Sequence, residues 1–89
     1  MAEINTNVTV GSTSTKVLDV SGDRDWVIIV NDSDEAVYLG MATAAALNKG
    51  IRLNANGGSL EIDFECPFIG EINAICTSGN KNLCVFQKS

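Results

Sequence analysis

The chain has 89 residues, enough for one hydrophobic core and too few for a second. Apolar residues make up 45% and charged residues 19%, a balance that excludes a disordered chain. Eleven acidic residues against six basic ones give a formal net charge of −5, and the basic residues are scattered, so nucleic acid and anionic lipid are disfavoured as partners.

Residues 1–6 hold neither a basic stretch nor an apolar one, so no secretory signal is expected, and the protein reads as made and kept in a cytoplasm until assembly. The same residues form either a frayed end or a docking arm. β-branched residues alternate, or nearly so, over 7–10 and 15–20, with turn-forming residues 11–14 between them. A polar loop follows at 21–25. Residues 26–30 (Trp-Val-Ile-Ile-Val) are continuously apolar, and their shortness and β-branching favour a strand over a helix. An unbroken run of this kind suits a central strand with both faces covered. As the longest β-like apolar run, it falls far short of the roughly 20 residues of a membrane helix. Residues 31–35 (Asn-Asp-Ser-Asp-Glu) then read as a tight connection to a returning strand at 36–39, so that the pair is expected to be a hairpin.

The alanine-rich segment near 41–48 ends at Gly50 and predicts one short helical turn or a compact loop. A brief strand at 51–53 and a glycine turn at 54–58 come next. Residues 59–65 alternate strictly, with Leu60, Ile62 and Phe64 on one face and Glu61, Asp63 and Glu65 on the other. Pro67 breaks that strand. Residues 71–77 and 82–87 predict a closing hairpin across 78–81. The sum is about eight short antiparallel strands in one all-β domain over 1–89, either a β-sandwich or a jelly roll, which strand count does not separate.

The chemistry-bearing residues are few. Histidine is absent, which removes Ser-His-Asp and Cys-His arrangements and the commonest transition-metal ligand. Cys66, Cys76 and Cys84 match no zinc spacing and are expected to be reduced, small apolar fillers. A disulfide between Cys76 and Cys84 is the alternative, since the closing hairpin would set them across from each other. Glu61, Asp63 and Glu65 lie roughly 7 Å apart along one face, within range of a glycosidase pair, but an alternating acidic strand reads first as the wet side of a sheet. The 31–35 segment fails the EF-hand frame, because its sixth and twelfth places counted from Asp32 are Val37 and Thr43. A loose calcium site of Asp32 and Asp34 with the 23–25 loop is the weaker reading beside a solvated turn. Trp26 and Tyr38 form either a sugar-stacking platform or core packing near a rim. No catalytic residue, cofactor or metal ligand is expected, and the chain reads as a binding or building protein rather than an enzyme.

Several short motifs in order carry a resemblance. They are Val8-Thr9-Val10, Lys16-Val17-Leu18, Arg24 ahead of the apolar run, Asn31, Val37-Tyr38-Leu39-Gly40, Gly50-Ile51-Arg52-Leu53 and Gly57-Gly58-Ser59-Leu60. The segment from Gly70 to Ile75 and Thr77-Ser78-Gly79 extend the series. Together they resemble small tailed-phage virion proteins of the capsid decoration (cement) or head-fibre type, over nearly the whole chain. The resemblance implies a structural role on the capsid surface, the major capsid protein or another virion protein as partner, and assembly as a homotrimer. It implies no catalytic residue. Arg24 is then expected to bond a neighbouring subunit or the capsid, or else to pair with Asp23 or Asp25 in its own loop. Trp26 and Tyr38 join it as candidate interaction residues. The second function considered is a carbohydrate- or receptor-binding module of a tail or fibre.

Overall fold

The computed structural model describes residues 3–19, 26–62 and 70–88. Eight strands are present: β1 (Glu3–Val10), β2 (Thr15–Leu18), β3 (Trp26–Asn31), β4 (Val37–Met41), β5 (Ile51–Leu53), β6 (Ser59–Ile62), β7 (Ile72–Cys76) and β8 (Lys81–Lys88). They form two four-stranded antiparallel sheets, ordered β1-β8-β3-β6 and β2-β7-β4-β5. Among the described residues there is no helix, and so none long and apolar enough to cross a membrane.

The strand order separates the two architectures that strand count leaves open. β1 pairs with β8, β2 with β7, β3 with β6 and β4 with β5, as in one long hairpin folded about residues 42–50. Rolling that hairpin brings β3 against β8 and β4 against β7, which completes the two sheets. This is the jelly-roll connection of a two-sheet sandwich.

Two expected hairpins are thereby corrected. β3 and β4 lie in different sheets, and so do β7 and β8, so that residues 32–36 and 77–80 are crossings between layers. The turn residues stand where the sequence places them, but they span two layers. Val27 and Ile29 of β3 and Val37 and Leu39 of β4 are buried in one core, facing each other across the sandwich instead of lying side by side. Among the described strands, only β4 and β5 are both consecutive in the chain and neighbours in a sheet. Their connection is a loop with a turn rather than a helix, and Ala42 and Asn48 both take φ of 63°. Of the N-terminal residues expected to fray or to dock, Glu3 to Thr6 continue β1 and pair with β8.

The core follows from alternation in both layers. Val10, Val27, Ile29, Ile62, Leu83 and Val85 come from the first sheet, and Leu18, Val37, Leu39, Leu53, Ile72, Ala74 and Cys76 from the second. Each large aliphatic residue so buried contributes about 1.5–3 kcal/mol relative to exposure.

Among the described residues one polar side chain is fully inside. Asn31, at the end of β3, donates from its amide to the carbonyls of Glu35 (2.8 Å), Leu53 (3.0 Å) and Asn54 (3.1 Å), and accepts from the Ser33 hydroxyl at 2.6 Å. Its own backbone bonds Gly58 and Gly57. Asn31 thus pins the β3–β4 crossing to the β5–β6 crossing.

Candidate functional site

The two outer faces of the sandwich differ. On the second sheet, the loop after β4 folds back over the Gly40–Asn73 end. Asn73 donates from its side-chain amide to the Thr43 carbonyl at 2.7 Å, Ala45 is buried, and the Ala45 amide donates to the Ser14 hydroxyl at 2.9 Å. Gly40 permits this approach, since a Cβ there would stand 2.7 Å from the Thr43 carbonyl oxygen.

The first sheet has no such roof among the described residues. Because side chains alternate along a strand, the register of β1, β8, β3 and β6 fixes which of them share its outer face. One row reads Asn5, Phe86, Ile28, Glu61, and the next reads Asn7, Cys84, Val30, Ser59. Each runs polar, apolar, apolar, polar across the four strands. Ile28, Val30 and Phe86 are half-buried and Cys84 is exposed. Asn5, Ile28, Val30, Cys84 and Phe86 line an open groove of about 420 Å³. Trp26 extends the apolar stripe, edge to face with Phe86 at 5.6 Å between ring centroids. An apolar centre with a polar rim is the anatomy of a protein interface.

The rim is ordered by hydrogen bonds. The indole nitrogen of Trp26 donates to Glu61 Oε2 at 2.7 Å, and the side-chain amide of Asn7 donates to Asn82 Oδ1 at 2.9 Å. At the sandwich end above the groove, the Lys81 ammonium bonds Asp34 at 2.7 Å. That bond holds the Asp34 carboxyl below its ordinary range and raises the Lys81 ammonium. The Glu35 carboxylate accepts from the Ser78 hydroxyl (2.7 Å) and amide (2.8 Å), which lower its pKa in turn. These contacts tie the β3–β4 crossing to the β7–β8 crossing.

The residues singled out from sequence are not brought together. Trp26 lies on the outer face of the first sheet, while Tyr38, opposite Ile75 and Arg52, lies on the outer face of the second. A shared sugar platform of the two is therefore ruled out by the layer between them. Arg24 lies outside the described residues, as do Cys66, Asp63 and Glu65. Cys76 is buried in the core and Cys84 is exposed on the opposite side of the first sheet, both as free thiols, so the disulfide alternative is corrected. Asp34 is engaged by Lys81, and no group of three or more ligating side chains suited to a metal ion occurs among the described residues.

Sequence reasoning missed Ile28, Val30, Cys84 and Phe86 as a surface. Their signal was present in the unbroken run at 26–30. With Val27, Ile29 and Asn31 pointing inward, the apolar residues between them had to point out.

Compared with family models, curated proteins and solved structures, the chain matches none.

Proposed function

We propose that this chain is a non-enzymatic structural protein of a virion, which decorates and stabilises a phage capsid by docking the outer face of its β1-β8-β3-β6 sheet. The observation that carries the reading is the apolar stripe of Trp26, Ile28, Val30 and Phe86 between polar edges, which none of the described residues covers. Such a stripe stays half-wet in a lone domain and gains by burial against a partner, at about 25 cal/mol per Å² of apolar surface. Repetition of a modest contact over a shell multiplies its effect. The jelly-roll topology recurs among viral capsid domains, which supports the reading by analogy of fold alone. The net charge of −5 favours the outside of the particle over the packaged nucleic acid. The partner is then the major capsid protein or another virion protein.

The test is adsorption to undecorated shells, followed by co-sedimentation. The wild-type chain should pellet with shells, and Ile28→Lys, which buries a charge at the centre of the contact, should remain in the supernatant with its melting temperature little changed. Equal pelleting of both would overturn the docking face, and failure of the wild type to pellet would overturn the capsid role. A second reading, a carbohydrate- or receptor-binding module, is favoured by the company Trp26 and Phe86 keep with Asn5 and Glu61 on one face, since ring faces and amide or carboxylate groups together suit a saccharide. Binding on a glycan array, lost in Phe86→Ala, would select it.

A further inference from the structure

The two sheets have four edges, and three of them are defended against pairing. β2 carries Lys16 and a register shift between Lys16 and Leu18. β5 is three residues long with Arg52 at its centre, and β6 carries the charge of Glu61. Short length, charge and bulges are the usual means of keeping an edge single. β1 has none of them. It is eight residues long, Glu-Ile-Asn-Thr-Asn-Val-Thr-Val, with no proline, no basic residue and its one charge at the end. It pairs with β8 through all eight positions without a shift. Among the described residues no strand lies on its other side.

We infer that β1 pairs antiparallel with β1 of a second copy of this chain, across a two-fold axis at Thr6. The occupant follows from self-complementarity. In the register centred on Thr6, each Ile4 stands opposite Val8 of the other copy, each Asn5 opposite Asn7, and each Glu3 opposite Thr9. Ile4 is 46% exposed, one of two large apolar side chains so exposed among the described residues, and the pairing covers it with a half-buried valine. No like charges are set opposite each other, a condition of stable cross-strand pairs. Asn5 and Asn7 supply amide pairs on the outer face. The axis stands perpendicular to the sheet, so the two outer faces join into one eight-stranded surface, and the two grooves, each bounded by Asn5, lie on either side of the seam. The inference does not depend on what those grooves bind.

An interface centred on one strand edge lies at the low end of the standard range of about 1,200–2,000 Å², so the dimer is concentration-dependent. Light scattering on the full chain, over a concentration series, should show the mass rising from one chain to two. The double variant Ile4→Lys/Thr6→Lys should remain at one chain throughout, with an unchanged melting temperature at low concentration. Under mild oxidation, Thr6→Cys should give a dimer linked through the two introduced thiols, as mapped by peptide mass. Ile4→Cys and Thr9→Cys should not, because each lies opposite a different residue. A wild type that stays at one chain overturns the inference, and so does a trimer, which would restore the three-fold assembly that the resemblance implies. A double variant that dimerises like the wild type, or equal linkage at all three positions, overturns the edge or its register. Loss of shell adsorption with the dimer intact would count against the capsid role alone.

Discussion

Trp26 and Glu61 are joined across adjacent antiparallel strands by a 2.7 Å hydrogen bond from the indole nitrogen to the carboxylate. Trp26 ends the apolar stripe and Glu61 stands on its polar border, so the bond fixes the orientation of the largest ring on the proposed docking face. The same ring is held from its other side by the perpendicular contact with Phe86. A face that is ordered before it binds loses less side-chain freedom on binding.

Glu61→Ala should release the indole. Trp26 is the single tryptophan of the chain, so its fluorescence reads this change without interference. The emission should shift, while urea unfolding should show a loss of only about 1 kcal/mol, typical of a partly exposed hydrogen bond. An unchanged spectrum would mean that Phe86 alone positions the ring.

Asn31→Ala should be far more costly than any change on the outer face. The buried amide serves three carbonyls, of which that of Leu53 lies in a buried bond, and its removal strands the Leu53 acceptor and loosens both layer crossings at once. A loss of about 2–4 kcal/mol is expected in urea unfolding, from unmet hydrogen bonds and a small cavity. Asn31→Asp should be at least as damaging, since a carboxylate facing the same carbonyls brings charge and no donor.

The positions that carried the resemblance are mostly positions the fold itself demands. Asn31 is the buried pin, Gly40 lies under the loop that roofs the second sheet, and Gly50 turns into β5 with a φ of 78°. That is why strands and turns were legible from sequence. Local alternation fixes which residues of a strand point inward, and turn residues fix where it stops. Sheet membership was not legible. A polar five-residue connection such as 31–35 serves a hairpin and a layer crossing equally well, and only contacts distant in sequence, such as β1 with β8, decide between them. The apolar outer face was half legible. Ile28 and Val30 read as covered on both sides because an unbroken apolar run has two explanations, a central strand buried on both faces and a central strand, as β3 is, with one apolar face turned outward. The partners that make the difference, Cys84 and Phe86, lie more than fifty residues away.

Stability should fall in acid through Asp34 and Glu35. Both carboxyls are held below their ordinary values of 3.8 and 4.5, Asp34 by Lys81 and Glu35 by Ser78. The unfolded chain therefore takes up these protons first on acidification. The stabilisation is fully present above about pH 4.5 and is lost as pH falls through the lower folded-state values. At the other end, Lys81 is raised above 10.5, so its share is present below that pH and lost above it. Glu35→Gln should flatten the acid limb of a melting-temperature profile. Added salt should weaken the Lys81–Asp34 part more than the Glu35–Ser78 part, because Asp34 is 79% exposed and charge pairs in water are screened.

Gly40→Ala tests the roof over the second sheet. The added methyl would stand 2.7 Å from the Thr43 carbonyl oxygen and 2.9 Å from the Ala44 carbonyl carbon, both backbone atoms, so the loop must lift. The Asn73–Thr43 bond would stretch with it. A destabilisation of about 1–3 kcal/mol is expected from such overpacking. Hydrogen exchange should quicken in the loop, with the Ala45 amide, now bonded to Ser14, reporting the change directly. Protection at Ala45 equal to that of the wild type would show that the loop is held from elsewhere.

Cys84 offers a direct probe of the proposed docking face, because its thiol is exposed in the groove while that of Cys76 is sealed in the core. Alkylation of the folded chain should modify Cys84 and leave Cys76 untouched until denaturant is added, as read by peptide mass. The Cys76 sulfur is further held between the Val10 and Gly11 carbonyls and the Gly79 amide, so its release requires the β7–β8 crossing to open. A bulky maleimide at Cys84 should occupy the groove between Val30 and Asn7, its register neighbours, and so block docking. The modified protein should keep its melting temperature and lose adsorption to shells. Retained adsorption would place the contact on another surface, and lost melting stability would show that Cys84 is packed as part of the fold.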